Sequence, residues 1–149
     1  MLRLRLILVL CLLALTGFSA EAGSARTPVQ AKVEVGVRVS KYARRFLGVP
    51  YRYGGMSPRS GFDCSGFVAF VYRRFGVALP HYTFAQFQRG RRVARRRLDP
   101  GDLVFFDGLN HVGLYIGRGR FIHAPHSGSH VRVERLRYGG RFAGARRVA

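Results

Sequence analysis

The apolar pattern of this chain changes period once, near residue 100, and that change restricts the fold more than any other feature. Before it, apolar residues recur at helical spacing. From about Val37 to Leu47, Val39, Tyr42, Ala43 and Phe46 form one face and Arg38, Lys41 and Arg45 the other, until Gly48 and Pro50 stop the helix. A second helix is expected from Cys64 to Gly76, where Phe67, Val71 and Phe75 step by four and Val68 and Tyr72 widen the stripe. Thr83-Phe84-Ala85-Gln86 has capping-box form and predicts a short third helix to about Gln88. Beyond the Pro100-Gly101 turn the spacing is that of strands. Leu103 to Phe106 is a continuous apolar run, and His111 to Gly117 alternates, with Val112, Leu114 and Ile116 on one face. Arg118-Gly119 reads as a tight turn, Arg120 to Ala124 as the return strand and Val131 to Leu136 as a further strand. Helices followed by strands predict an α+β domain, N-terminal helices packed on a central antiparallel β-sheet.

The first 22 residues stand outside that pattern. Arg3 and Arg5 precede the apolar run Leu6 to Leu15, and Ala20-Glu21-Ala22 offers an A-x-A cleavage site, so residues 1–22 read as a secretory signal peptide. The apolar run is short for a membrane anchor. Cys11 raises the alternative of a lipid-modified terminus, against which Leu10 argues, because a small residue is wanted there. Residues 23–35 read as a flexible lead and residues 36–149 as one domain, with no separate second module. Of the two cysteines, removal of the signal leaves only Cys64, which then has no partner for an internal disulfide.

Cys64 is therefore either a small core residue or kept for its chemistry. It follows the loop Tyr51 to Gly61, punctuated by Gly54, Gly55, Pro58 and Gly61, and opens a helix, where backbone N–H groups and the macrodipole favour a thiolate. A nucleophilic thiol needs a base, and the base works better when a third polar group orients it. His111 and His123 lie on successive strands across a tight turn, and alternation permits both imidazoles on one face, with Gly113 leaving room beside His111. His123, His126 and His130 also form H-x2-H-x3-H, a pattern weighed for zinc; with glycine and serine around the last two and no carboxylate nearby in sequence, no metal or other cofactor is expected.

Tyr51-Arg52-Tyr53-Gly54-Gly55 and Gly61-Phe62-Asp63-Cys64-Ser65-Gly66-Phe67-Val68 strongly resemble segments of the NlpC family of bacterial cell-wall peptidases. So do Leu98-Asp99-Pro100-Gly101-Asp102-Leu103-Val104-Phe105-Phe106, His111-Val112-Gly113-Leu114-Tyr115-Ile116-Gly117, Phe121-Ile122-His123-Ala124-Pro125 and Gly144-Ala145-Arg146-Arg147-Val148. The resemblance runs in order from about Val39 to the C-terminus. It implies a papain-like fold with Cys64 as nucleophile, His111 as base and His123 as the third polar member. It further implies a tyrosine near the oxyanion position, which maps to Tyr51 in preference to Tyr53, and pocket-shaping roles for Asp63 and Ser65. Asp63 reads equally well as a helix cap. The segment Pro80-His81-Tyr82-Thr83 departs from the family, which usually has Arg after that proline.

The implied activity is that of an exported cysteine endopeptidase cutting peptidoglycan stem peptides, at the bond between D-glutamate and diaminopimelate, in the periplasm or cell envelope. The competing readings are a catalytically silent basic wall-binding protein and an amidase or acyl-transfer relative on the same fold. A monomer is expected. Charge bears on partners: 26 Lys+Arg against 7 Asp+Glu give a formal +19, and only Lys32 and Lys41 are lysines. Six arginines fall between Arg89 and Arg97, read as a solvated connection. No aromatic residue interleaves with them, and export removes the chain from cytoplasmic nucleic acid, so the excess implies electrostatic retention on an anionic wall or membrane surface and no nucleic-acid partner.

Overall fold

The structure, a computed structural model, describes residues 27–138 and 140–149. The expected signal segment, Cys11 included, lies outside the described residues. Among these, no helix is long and apolar enough to cross a membrane.

The first helix, α1, spans Pro28–Ala43. It begins well before the expected start, so residues 28–35, assigned to a flexible lead, are its first turns. The physical reason is a capping box: Thr27 Oγ1 accepts from the Gln30 N–H at 3.3 Å, the Gln30 side chain accepts from the Thr27 N–H at 3.0 Å, and Pro28 occupies a position that needs no donor. Val39 and Ala43 are fully buried on its inner face. A methyl group on Gly36 would lie 2.0 Å from the Pro100 carbonyl oxygen, so this glycine lets α1 rest directly on the Pro100-Gly101 turn.

Helix α2, Cys64–Arg73, is amphipathic as its spacing requires and buries Phe67, Val68, Val71 and Tyr72. The short α3, Thr83–Phe87, has Tyr82 at its N-cap and no side-chain cap, so the expected capping box does not form. Gln86 is fully buried instead, and its amide donates to the carbonyls of Ser65 at 2.9 Å and Pro80 at 2.7 Å. Two backbone acceptors away from water outcompete one exposed helix cap.

The strands β1 (Met56–Ser57) and β2 (Gly61–Phe62) form a small hairpin before α2. The main sheet contains β3 (Arg91–Arg92), β4 (Leu103–Phe106), β5 (His111–Gly117), β6 (Arg120–His123), β7 (Arg132–Arg135) and β8 (Phe142–Arg147). Its order is β3-β8-β4-β5-β6-β7 and every pair is antiparallel. The expected α+β architecture is therefore the observed one, and the strands at 103–106 and 111–117 have the expected bounds. One sheet face carries Leu103, Phe105, Val112, Leu114 and Ile122 into the cluster shared with α1 and α2. The other carries Val104, Phe106 and Phe121 into a smaller cluster with Val93, Leu136 and Ala145.

Beside the hairpin β1–β2, in a segment read as loop, two strands of the main sheet escaped the sequence reading. Arg91–Arg92, placed in a solvated connection, pair with β8, and β8 itself inserts between β3 and β4. Its residues Phe-Ala-Gly-Ala-Arg-Arg show no alternation of apolar and polar groups. An ion pair helps hold it. Arg147 donates through Nε and an Nη to the two oxygens of fully buried Asp102 at 2.6 and 2.7 Å, and its other Nη lies 2.7 Å from Asp99. Removing one member of such a pair leaves an uncompensated charge. Asp102→Ala is expected to lower unfolding free energy by about 3–5 kcal/mol, read as a fall in the urea midpoint with an unchanged slope.

Candidate active site

Cys64 is the first residue of α2 and packs, half-buried, against the edge of the main core. Its thiol meets the backbone N–H of Val112, the residue after His111, together with the N–H groups of Ser65 and Cys64 itself. Those donors favour a thiolate, yet burial outweighs them and the thiol is pushed up from its ordinary value. The expectation that the helix start alone would lower it is thus corrected: desolvation is the larger effect.

The paired strands β5 and β6 bring the two histidines together. The register Leu114↔Ile122 and Tyr115↔Phe121 sets Gly113 against His123. A methyl on Gly113 would stand 2.5 Å from the Phe121 ring and 3.2 Å from His123 Cβ, so only glycine leaves the imidazoles room to meet. They do so at 2.7 Å, His111 Nε2 to His123 Nδ1. His111 also lies against the Phe106 ring and His123 against the Phe121 ring, at centroid separations of 6.2 and 4.4 Å. Burial drives both pKa values down, to about 4 for His111 and about 3 for His123, the second aided by the neighbouring His111 and Arg132. Both rings are neutral at neutral pH. Behind them, His123 Nε2 lies 3.5 Å from Glu134 Oε2, an ion-pair distance without a hydrogen bond. Glu134 is anchored by Arg132 at 2.6 Å. Sequence reading missed this carboxylate, because it is remote in the chain and becomes a neighbour only through the β6–β7 register Phe121↔Glu134.

Asp63 joins three segments at the thiol. One carboxylate oxygen accepts from the Gly66 N–H at 2.7 Å, capping α2, and from Ser65 Oγ at 3.2 Å. The other accepts from the Gly54 N–H at 3.0 Å, fixing the glycine loop, and His81 Nε2 approaches both oxygens at 2.8 and 2.7 Å. Thus His81, singled out in sequence only as a departure, takes a definite place. Gly66 has no room for a side chain, since a methyl would fall 2.1 Å from the Gly55 carbonyl oxygen and 2.9 Å from His81 Nε2. Ser65 is buried, its hydroxyl turned to Asp63. Tyr51 is half-buried, and its phenol is raised by burial and by the adjacent Cys64 and Asp63, whereas Tyr53 is 88 % exposed. His126 and His130 sit on an exposed loop. Among the described residues no three His, Cys, Asp or Glu side chains converge as metal ligands.

A model of the NlpC/P60 family matches residues 48–146, two-thirds of the chain and all of the site just described. The chain belongs to the NlpC/P60 family. Among curated relatives, the gamma-DL-glutamyl hydrolase of Bacillus subtilis is 42 % identical over 97 residues, covering 61 % of this chain and 24 % of that protein. The peptidoglycan endopeptidase RipA of Mycolicibacterium smegmatis is 33 % identical over 108 residues, covering 63 % of this chain and 22 % of its own length. The chain thus spans about a quarter of these relatives. Solved NlpC/P60 structures share the fold. A family protein from Bacillus cereus superposes with a TM-score of 0.71 at 36 % identity, over 76 % of this chain and 40 % of the other. The peptidoglycan hydrolase RipB of Mycobacterium tuberculosis gives 0.71 at 31 % identity, over 80 % of this chain and 67 % of the other.

The neutral histidine pair of this NlpC/P60 domain has a measurable signature. Unfolding restores both imidazoles to their ordinary value near 6.5, while the folded chain takes up protons only near 4 and 3. Between those limits the unfolded state binds more protons, so stability falls as pH drops from about 6.5 toward 4. Histidine NMR titration should show His111 and His123 unprotonated above pH of about 5, and Gly113→Ala should abolish their mutual hydrogen bond.

Proposed function

We propose that the protein is an exported cysteine endopeptidase that hydrolyses peptidoglycan stem peptides, at the bond between D-glutamate and diaminopimelate. The observation that carries the reading is the convergence of the Cys64 thiol, at the start of α2, on the strand that begins with a histidine bonded to a second histidine. The names of the relatives support the substrate class: one is a gamma-DL-glutamyl hydrolase, another a peptidoglycan endopeptidase. Export rests on the leader Met1 to Ala22.

At rest the thiol and both imidazoles are neutral. His111 Nε2–H donates to His123 Nδ1, which leaves His111 Nδ1 as the proton acceptor for Cys64. As the thiolate attacks the scissile carbonyl, the sulfur–carbon bond forms and the proton rests on His111, with His123 and Glu134 stabilising the resulting cation. The N–H groups at the start of α2 and the Tyr51 phenol are the donors for the developing oxyanion. His111 then protonates the leaving amine, and water, activated by the same imidazole, releases the acyl group from sulfur.

Digestion of purified sacculi, with fragments identified by mass spectrometry, tests this. Wild type should release peptides that begin at diaminopimelate and leave glycan-bound stems that end at D-glutamate, and Cys64→Ala should do neither. Fragment release that survives Cys64→Ala contradicts the cysteine mechanism; fragments cut elsewhere redirect the bond toward amidase chemistry. Sacculus binding without cleavage favours the wall-binding reading. His111→Ala should cost about 100- to 10,000-fold in kcat/KM. His123→Ala should cost about 10- to 100-fold, because it acts through His111.

A further inference from the structure

Arginines gather at the end of the sheet away from the histidines. From His111, β5 runs about 20 Å to Gly117, and the turn Arg118-Gly119 follows. The segment Arg95–Arg97 forms an exposed 3-10 turn, here called the ridge, that gives Arg95 to one cleft and Arg96 and Arg97 to another. A cleft of about 630 Å³ has Arg95, Arg118, Arg120, Arg135 and Arg137 on its walls. The second, of about 640 Å³, has Arg91, Arg92, Arg96, Arg97 and Arg147. Among the described residues the only acid lining either one is Asp99, already engaged by Arg147 at 2.7 Å.

This crowding works against the fold. Arginine stands directly across from arginine at three places: Arg91↔Arg147, Arg92↔Arg146 and Arg120↔Arg135. Like charges facing each other across strands are destabilising, and of these six arginines Arg147 is the one that pairs with described acids, Asp99 and Asp102. Arg118 also holds a left-handed backbone at φ 53°, where glycine would be unstrained. A multivalent anion in the clefts would relieve the repulsion at Arg91↔Arg147 and Arg120↔Arg135, whose members line them; Arg146 stacks instead on the Phe87 ring at 4.3 Å. A planar carboxylate commits both oxygens to a single guanidinium fork, whereas a tetrahedral phosphate can reach two. Two clefts that share a ridge suit a flexible chain rather than a flat bilayer. Among the described residues, the exposed large apolar side chains, Val29, Tyr53, Tyr82 and Phe84 among them, line neither cleft.

We propose that the Arg95–Arg97 ridge and its two clefts bind a flexible linear phosphate polymer of the cell envelope, retaining the protein there while the Cys64 site remains free at the other end of the sheet. This gives residues and a ligand chemistry to the retention that the net charge implies. It is independent of the peptidase reading, because its test involves no hydrolysis.

The probe is inorganic polyphosphate, titrated by calorimetry over a range of salt. The variant Arg95→Ser/Arg96→Ser/Arg97→Ser alters only exposed side chains. Its control, Arg59→Ser/Arg73→Ser/Arg74→Ser, removes the same charge from other exposed positions. The ridge variant should lose about tenfold or more in affinity, and its log–log salt slope should shrink by about two, with the control much less affected. Arg118→Gly should weaken binding while keeping or raising stability, which separates the charge from the fold. Equal losses in ridge and control variants would overturn the proposal, as would a ridge variant that binds like wild type. Phosphatidylglycerol vesicles and duplex DNA should bind more weakly than polyphosphate. Vesicle binding that is lost in the ridge variant while polyphosphate binding is kept would assign the face to membrane, and duplex DNA matching polyphosphate would refute the flexible-chain geometry.

Discussion

The antiparallel register of β5 and β6 is the constraint on which the site depends. It sets Gly113 against His123, and the absent side chain gives the two imidazoles a 2.7 Å contact. The same pairing aims Val112, Leu114 and Ile122 at the helices, so the packing that seats α2 also brings Cys64 to the Val112 N–H. A slip of one residue would turn the histidines toward the core and the valine and leucine outward. Core and chemistry are therefore specified by one alternation.

Asp63 provides the second fixed point. Its carboxylate caps α2, tethers Gly54 and is gripped by His81, so it ties together the helix carrying the thiol, the loop carrying Tyr51 and the segment before α3. Gln86 adds a buried crosslink between the first turn of α2 and Pro80. The electrostatics follow from this enclosure. Burial raises the thiol and depresses both imidazoles, which favours a neutral resting pair over a preformed thiolate–imidazolium pair.

Much of this was legible in the chain. The periodicity change marked the helices and the two central strands, and Cys64, His111 and His123 stood out by residue type and by the segments around them. What escaped depended on partners distant in sequence. Glu134 reaches His123 only through β7 pairing, and Gln86 turned from a local cap to buried carbonyls. Strand β8 carries no period of its own and is held partly by Arg147 on Asp102. The early start of α1 is different, since Thr27-Pro28-Val29-Gln30 is a local capping signal that weak amphipathicity in the following turns concealed. The arginines read as a solvated connection proved to be partly strand and partly cleft wall, an arrangement that composition alone does not convey.

Nucleophilic attack by Cys64 requires a covalent intermediate on its sulfur. Rapid mixing of the protein with a purified disaccharide-peptide, acid quench and intact-mass analysis should reveal an acyl adduct on Cys64 whose added mass is that of the disaccharide with the N-terminal part of the stem peptide, less one water. Turnover of the same peptide with no adduct at Cys64, and at an undiminished rate in Cys64→Ala, would contradict it.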